Sequence, residues 1–161
     1  MHGRPRLTYL VPRSIHRTAV ALGATAVLLL VPTACSNSVE VTAAPAAGED
    51  GCAAAATAYP KTVSGMPGRE VSAKAAAAWG DPAVIARCGV AALAPTEETC
   101  IEVDGVGWIP QALSDGTRFT SFGTDPALEV LVPKVYAPEP LLLPAFSAAA
   151  KALPRNGLEC R

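Results

Sequence analysis

Beyond residue 34 the chain has no histidine, since His2 and His16 both lie before it. That removes imidazole from any Ser-His-Asp or Cys-His arrangement and from any His-ligated zinc site. Aromatic residues are scarce, at 5 %. Basic residues are scarce too. Past Cys35 there are nine Lys and Arg against 14 Asp and Glu, a net charge of −5. Such a chain lacks the basic stripe that nucleic acid requires and the charge that draws a protein to an anionic membrane face. The prominent apolar run, 18–31, has 14 uncharged residues, short of the about 20 that a membrane-spanning helix needs.

What precedes that run gives it a meaning. Arg4, Arg6, Arg13, His16 and Arg17 form a basic leader, and Pro32-Thr33-Ala34-Cys35 closes the segment. A basic region, a short apolar region and small residues before a cut describe a secretory signal over residues 1–34. A retained signal anchor is the alternative. Cys35 stands where a lipoprotein signal places its lipidated residue, and Ser36-Asn37-Ser38 follows as a polar tether. Pro32 stands where such signals usually carry an aliphatic residue, so ordinary cleavage near Ala34 or within 43–47 is the rival. The expected location is the extracytoplasmic face of the cell membrane, held by lipid, or else outside the cell.

Cys35, Cys52, Cys88, Cys100 and Cys160 make an odd number. Lipid on Cys35 would leave four, which allow three pairings. The expected bridges are Cys88–Cys100, closing a short local loop, and Cys52–Cys160, tying the ends of the domain. Chain entropy values a loop of about 15 residues at about 3 kcal/mol and one of about 100 at about 4.7 kcal/mol. No Cys-x-x-Cys spacing occurs, which argues against a four-cysteine metal site.

Residues 35–49 read as the lipidated cysteine and a flexible tether, poor in large apolar residues. Residues 50–161 read as one folded domain. Asp50 can cap a short helix over 51–59, which Pro60 stops. Turn signals then recur at intervals of about ten residues, as in an antiparallel meander. The best single element is 101–108, with Asp104-Gly105 as a tight hairpin turn. Strands are expected at 83–88, 119–122 and 128–132. Pro144 can open a final helix that carries Leu143, Phe146, Ala150 and Leu153 on one face and ends at Pro154. The fold class is α+β: an antiparallel sheet of about five or six short strands with an N-terminal and a C-terminal helix.

Catalytic patterns are weak. Ser72 with Lys74, and Ser147 with Lys151, do not match the Ser-x-x-Lys spacing. Glu97-Glu98, and Glu102 with Asp104, are carboxylate pairs, but a glycosidase needs two facing each other across a groove about 5–10 Å wide. No cofactor is implied.

Two stretches carry a resemblance: Ala78-Trp79-Gly80-Asp81-Pro82-Ala83-Val84-Ile85-Ala86-Arg87-Cys88-Gly89-Val90 and Val103-Asp104-Gly105-Val106-Gly107-Trp108. With Cys52 and Cys100 they resemble the domain of unknown function 3515 family, small exported proteins of actinobacteria that are often lipoproteins. The resemblance implies export and paired cysteines, and brings no activity. Physically, Trp79 and Trp108 are apolar anchors beside turns, expected in the core and alternatively lining a ligand groove. Arg87, in an apolar strand, is expected to pair with Asp81 or Asp104, or to face a ligand. The leading functional expectation is a non-enzymatic accessory protein of the cell envelope that binds a protein or wall component. The alternatives are a small-molecule or wall-fragment sensor using Trp79, Arg87 and Trp108, and, last, a carboxylate-dependent wall hydrolase.

Overall fold

The computed structural model describes residues 38–161. The leader and Cys35 lie outside the described residues. The chain opens its first helix, α1, at Asp50–Thr57 and then lays down eight strands. These are β1 Thr62–Val63, β2 Met66–Arg69, β3 Ala76–Trp79, β4 Val84–Val90, β5 Ile101–Val103, β6 Val106–Ala112, β7 Gly116–Phe122 and β8 Ala127–Pro133. Two 3-10 segments, Lys134–Tyr136 and Glu139–Phe146, lead into α2, Ser147–Lys151. The antiparallel sheet, the two helices and the two disulfides follow the sequence-based expectation. The domain is nevertheless mostly β, with eight strands in place of five or six.

Sheet order is β1-β2-β3-β4-β8-β7-β6-β5, and every neighbouring pair is antiparallel. Two four-stranded meanders therefore meet along one seam, β4 against β8. Two of the hairpins turn on left-handed pairs. Asp104 and Gly105 have φ of 50° and 73°, and Ser64 and Gly65 have φ of 48° and 79°. Positive φ at both central residues is the turn whose twist matches that of the strands it joins.

One sheet face carries the core. Trp79, Val84, Ala86, Cys88, Trp108, Phe119, Leu128 and Val130 are buried there in one cluster with Cys52, Ala55, Leu143, Phe146, Ala149, Ala150 and Leu153. The expected apolar face of the last helix is thus in the core, but only its second half is α-helical. Pro144 has no N–H to donate to an earlier turn, which favours the tighter 3-10 winding before Ser147.

Both disulfide pairings differ from expectation: Cys52 bonds Cys88, and Cys100 bonds Cys160. Topology gives the reason. Cys88 lies on the central strand β4, whereas Cys100 immediately precedes the edge strand β5, four strand spacings away. Four spacings are about 19 Å, and a disulfide requires Cα atoms within about 7 Å. Helix α1 instead lies over the core face beside β4, with the Cα atoms of Cys52 and Cys88 5.4 Å apart.

The supposed tether also departs from expectation. Val39 N–H donates to the Glu70 carbonyl (2.8 Å), and Ser72 N–H donates to the Val39 carbonyl (3.2 Å). Further along, Ala44 is buried and Ala46 N–H donates to the Gly89 carbonyl (3.0 Å). Residues 38–47 form a strap along the domain because small side chains let backbone lie close to backbone. Gly89, at φ +103°, is where this matters most: a Cβ there would sit 2.4 Å from Ala47 N.

Candidate functional site

The sequence singled out Trp79, Arg87 and Trp108, and the sheet does not bring them together. Residues paired across an antiparallel ladder share a face. Trp79 pairs with Val84, on the core face, whereas Arg87 is one step out of phase and faces the other side. Both tryptophans are sealed in the core, at 1 % and 0 % exposure. Trp79 donates its indole N–H to the Pro60 carbonyl (3.1 Å) and meets Phe146 edge-on at 5.3 Å between ring centres. The Trp108 indole N–H is buried without a partner. Neither ring is offered to a groove, which corrects the ligand-lining alternative.

Arg87 has a partner, but neither Asp81 nor Asp104. Its Nε donates to Glu129 Oε1 at 2.6 Å, and its Nη1 donates to the Thr42 carbonyl of the strap at 3.1 Å. Glu129 lies opposite Arg87 across the β4–β8 seam and is 4 % exposed. Its second oxygen lies 3.2 Å from Arg118 Nε. That contact is Coulombic, because its angle does not make a hydrogen bond. Arg118 Nη1 donates to Gln111 Oε1 (3.0 Å). Sequence reasoning passed over Glu129 because one acidic residue in an apolar strand shows no partner until strand order is known. Asp81 instead lies 3.7 Å from Arg69, at the exposed surface, where such pairs contribute little. Asp104 accepts from the Ser147 hydroxyl (2.9 Å).

The fold displaces the acidity of Tyr59. Burial pushes its phenol above the ordinary tyrosine value, and its hydroxyl donates to the Ala75 carbonyl (3.0 Å).

On the face away from the helices lies a cleft of about 480 Å³. Ile109 and Phe122 form part of its floor, Pro95, Glu97 and Glu98 line one side, and Glu159 lies on the C-terminal tail. The Cys100–Cys160 bridge holds this wall closed, resting on Gly107, where a Cβ would come 2.9 Å from Cys160 Sγ. Nothing in the local sequence announces the cleft, since its walls are some 60 residues apart in the chain and joined by that bridge. Among the described residues, no cluster of three or more His, Cys, Asp or Glu side chains could hold a metal ion. No helix among them is long and apolar enough to cross a membrane.

These features define a small, disulfide-bonded, mostly β domain with two short helices on one face of its sheet. Residues 16–156 match the family described as Protein of unknown function (DUF3515), and the chain belongs to it. No curated protein and no solved structure matches the chain.

Proposed function

We propose that the chain is exported, is held at the extracytoplasmic face of the cell membrane by a lipid on Cys35, and acts there as a non-enzymatic accessory domain that binds an envelope protein or wall component. Cysteine parity carries the reading. Four cysteines are consumed in two bridges, and the fifth, Cys35, follows an apolar run and Ala34 at the position a lipoprotein signal requires. Bridges of this kind persist in oxidising compartments. Burial of both tryptophans supports the accessory reading over a sensor built on their rings.

Three measurements test it. Intact-mass analysis of the mature protein is expected to find acyl groups on Cys35, and Cys35→Ala is expected to move the protein to the soluble fraction. Cross-linking in the native envelope followed by pull-down is expected to recover a protein or wall partner. A mature chain beginning after Cys35 would refute the anchor. The cleft supports a second reading, a small-molecule or wall-fragment binding module, because its volume falls in the range of ligand sites. Saturable binding of a soluble wall fragment, abolished by Ile109→Lys in a folded variant, would favour it.

A further inference from the structure

Resting on the lipid anchor just proposed, we infer that the strap fixes the domain's orientation, so that the edge formed by residues 39–41 and 70–74 lies against the lipid headgroups. The argument is one of reach. The strap is clamped from Val39 onward: the two backbone bonds already described join Val39 to Glu70 and to Ser72, and Val41 N–H donates to Ser72 Oγ (2.9 Å) while that hydroxyl donates to the Val41 carbonyl (3.2 Å). Only Ser36, Asn37 and Ser38 separate Cys35 from the clamp. At full extension about 3.5 Å per residue carries the chain some 10–14 Å. An acylated Cys35 at the membrane surface therefore keeps this edge within about 10–14 Å of the headgroup layer, which restricts how the domain can turn.

The rest of the sheet leads away from that edge. The β6–β7 turn at Ser114 is three to four strand spacings from β3, about 15–20 Å. The cleft, floored by β6 and β7 residues, belongs to this distal half. Charge does not enforce the contact. The exposed residues at the clamped edge include Glu40, Glu70 and Lys74, so there is no basic excess to attract anionic lipid. The orientation is set by tether length and is insensitive to salt.

The test uses full chains carrying Glu70→Cys or, separately, Ser114→Cys, exported, purified in detergent and labelled with a fluorophore without reduction. Lys74→Cys serves as a second proximal site. Each is reconstituted into phosphatidylcholine vesicles containing a headgroup-spin-labelled lipid, and acylation is verified by intact mass. Quenching is expected to be severalfold stronger at 70 and 74 than at 114. It is expected to survive about 1 M salt, where the Debye length falls to about 3 Å. Inserting about 12 Gly and Ser residues after Asn37 adds an r.m.s. reach of about 19 Å and is expected to erase the contrast. Equal quenching at all three sites in an acylated native chain, or a contrast unchanged by the insertion, overturns the orientation and leaves the anchor standing. An unacylated, soluble chain overturns both.

Discussion

Replacing Trp79 by alanine measures how much of this small domain rests on one side chain. The indole is fully buried, stacks edge-on against Phe146 and Tyr59, and donates to the Pro60 carbonyl. Truncating such a ring to a methyl group costs about 3–5 kcal/mol, through lost burial and the cavity left behind. Domains of this size have net stabilities of about 5–15 kcal/mol. Unfolding entropy of about 2.1 cal/mol/K per residue over roughly 120 residues converts 1 kcal/mol into about 4 °C. Trp79→Ala is therefore expected to lower Tm by about 12–20 °C in thermal circular dichroism under non-reducing conditions. Trp79→Phe keeps much of the ring contact and loses the indole N–H bond, itself a contribution of about 0.5–1.5 kcal/mol. It is expected to lose clearly less than the alanine variant and supplies a graded readout if that variant does not accumulate. An alanine variant melting within about 2 °C of the parent would refute the core assignment and the reasoning from ring burial, because it is far below the lower cavity cost.

Four other outcomes follow from particular contacts. Non-reducing peptide mapping is expected to recover Cys52–Cys88 and Cys100–Cys160 peptides, and a Cys88–Cys100 peptide would contradict the strand order. Gly89→Ala cannot seat its Cβ against Ala46 and Ala47, so limited proteolysis is expected to cut within 38–47 well before the parent is cut there; unchanged protection counts against the docked strap. Because burial raises the folded-state pKa of Tyr59, its neutral form contributes stability in full below the unfolded value of about 10, and that contribution is lost as pH rises beyond it. Urea midpoints of the parent are expected to fall more steeply between pH 9.5 and 11 than those of Tyr59→Phe, and parallel profiles would refute the assignment. Glu129→Gln leaves Arg87 and Arg118 without their carboxylate and is expected to cost about 2–4 kcal/mol, discounted from a fully buried pair because both arginines reach solvent; a loss under about 0.5 kcal/mol in urea melts would show the pairing to be incidental.

Local chemistry was legible in the sequence, and long-range placement was not. Asp104-Gly105 announced its hairpin because Asp followed by Gly tolerates two consecutive positive φ values. Ser64-Gly65 makes a similar turn but lies between strands of two and four residues, too short to show alternation. Strand β3 reads Ala-Ala-Ala-Trp, a composition that favours helix by propensity and is held extended only by its ladders to β2 and β4. The cysteine pairing followed from strand order, which no spacing encodes, and the favoured short loop spans the chain's longest crossing of the sheet. The strap failed as a tether for a related reason. Its few large apolar residues suggested disorder, yet small residues are what allow backbone to lie on Gly89.

The two disulfides divide the work unevenly. Cys52–Cys88 fastens α1 to the first meander, and Cys100–Cys160 fastens the tail to the edge of the second. Neither bridge spans the seam between β4 and β8, so cooperation between the halves rests on weaker forces. Three are visible. The β4–β8 ladder runs from Ile85–Leu131 to Val90–Ala127, with a bulge near Gly89. The apolar cluster joins Ala86 and Cys88 to Leu128 and Val130 beneath α1 and α2. On the opposite face, Glu129 reaches Arg87 in one meander and Arg118 in the other. Carboxylate desolvation makes this last contact a poor source of net stability, but removing one member is costly. Its effect is therefore on register. Sliding β8 by one residue past β4 would turn Glu129 into the apolar cluster and Leu128 or Val130 out of it, because strand side chains alternate faces. The charged trio thus holds the seam in a single alignment where no covalent bond does.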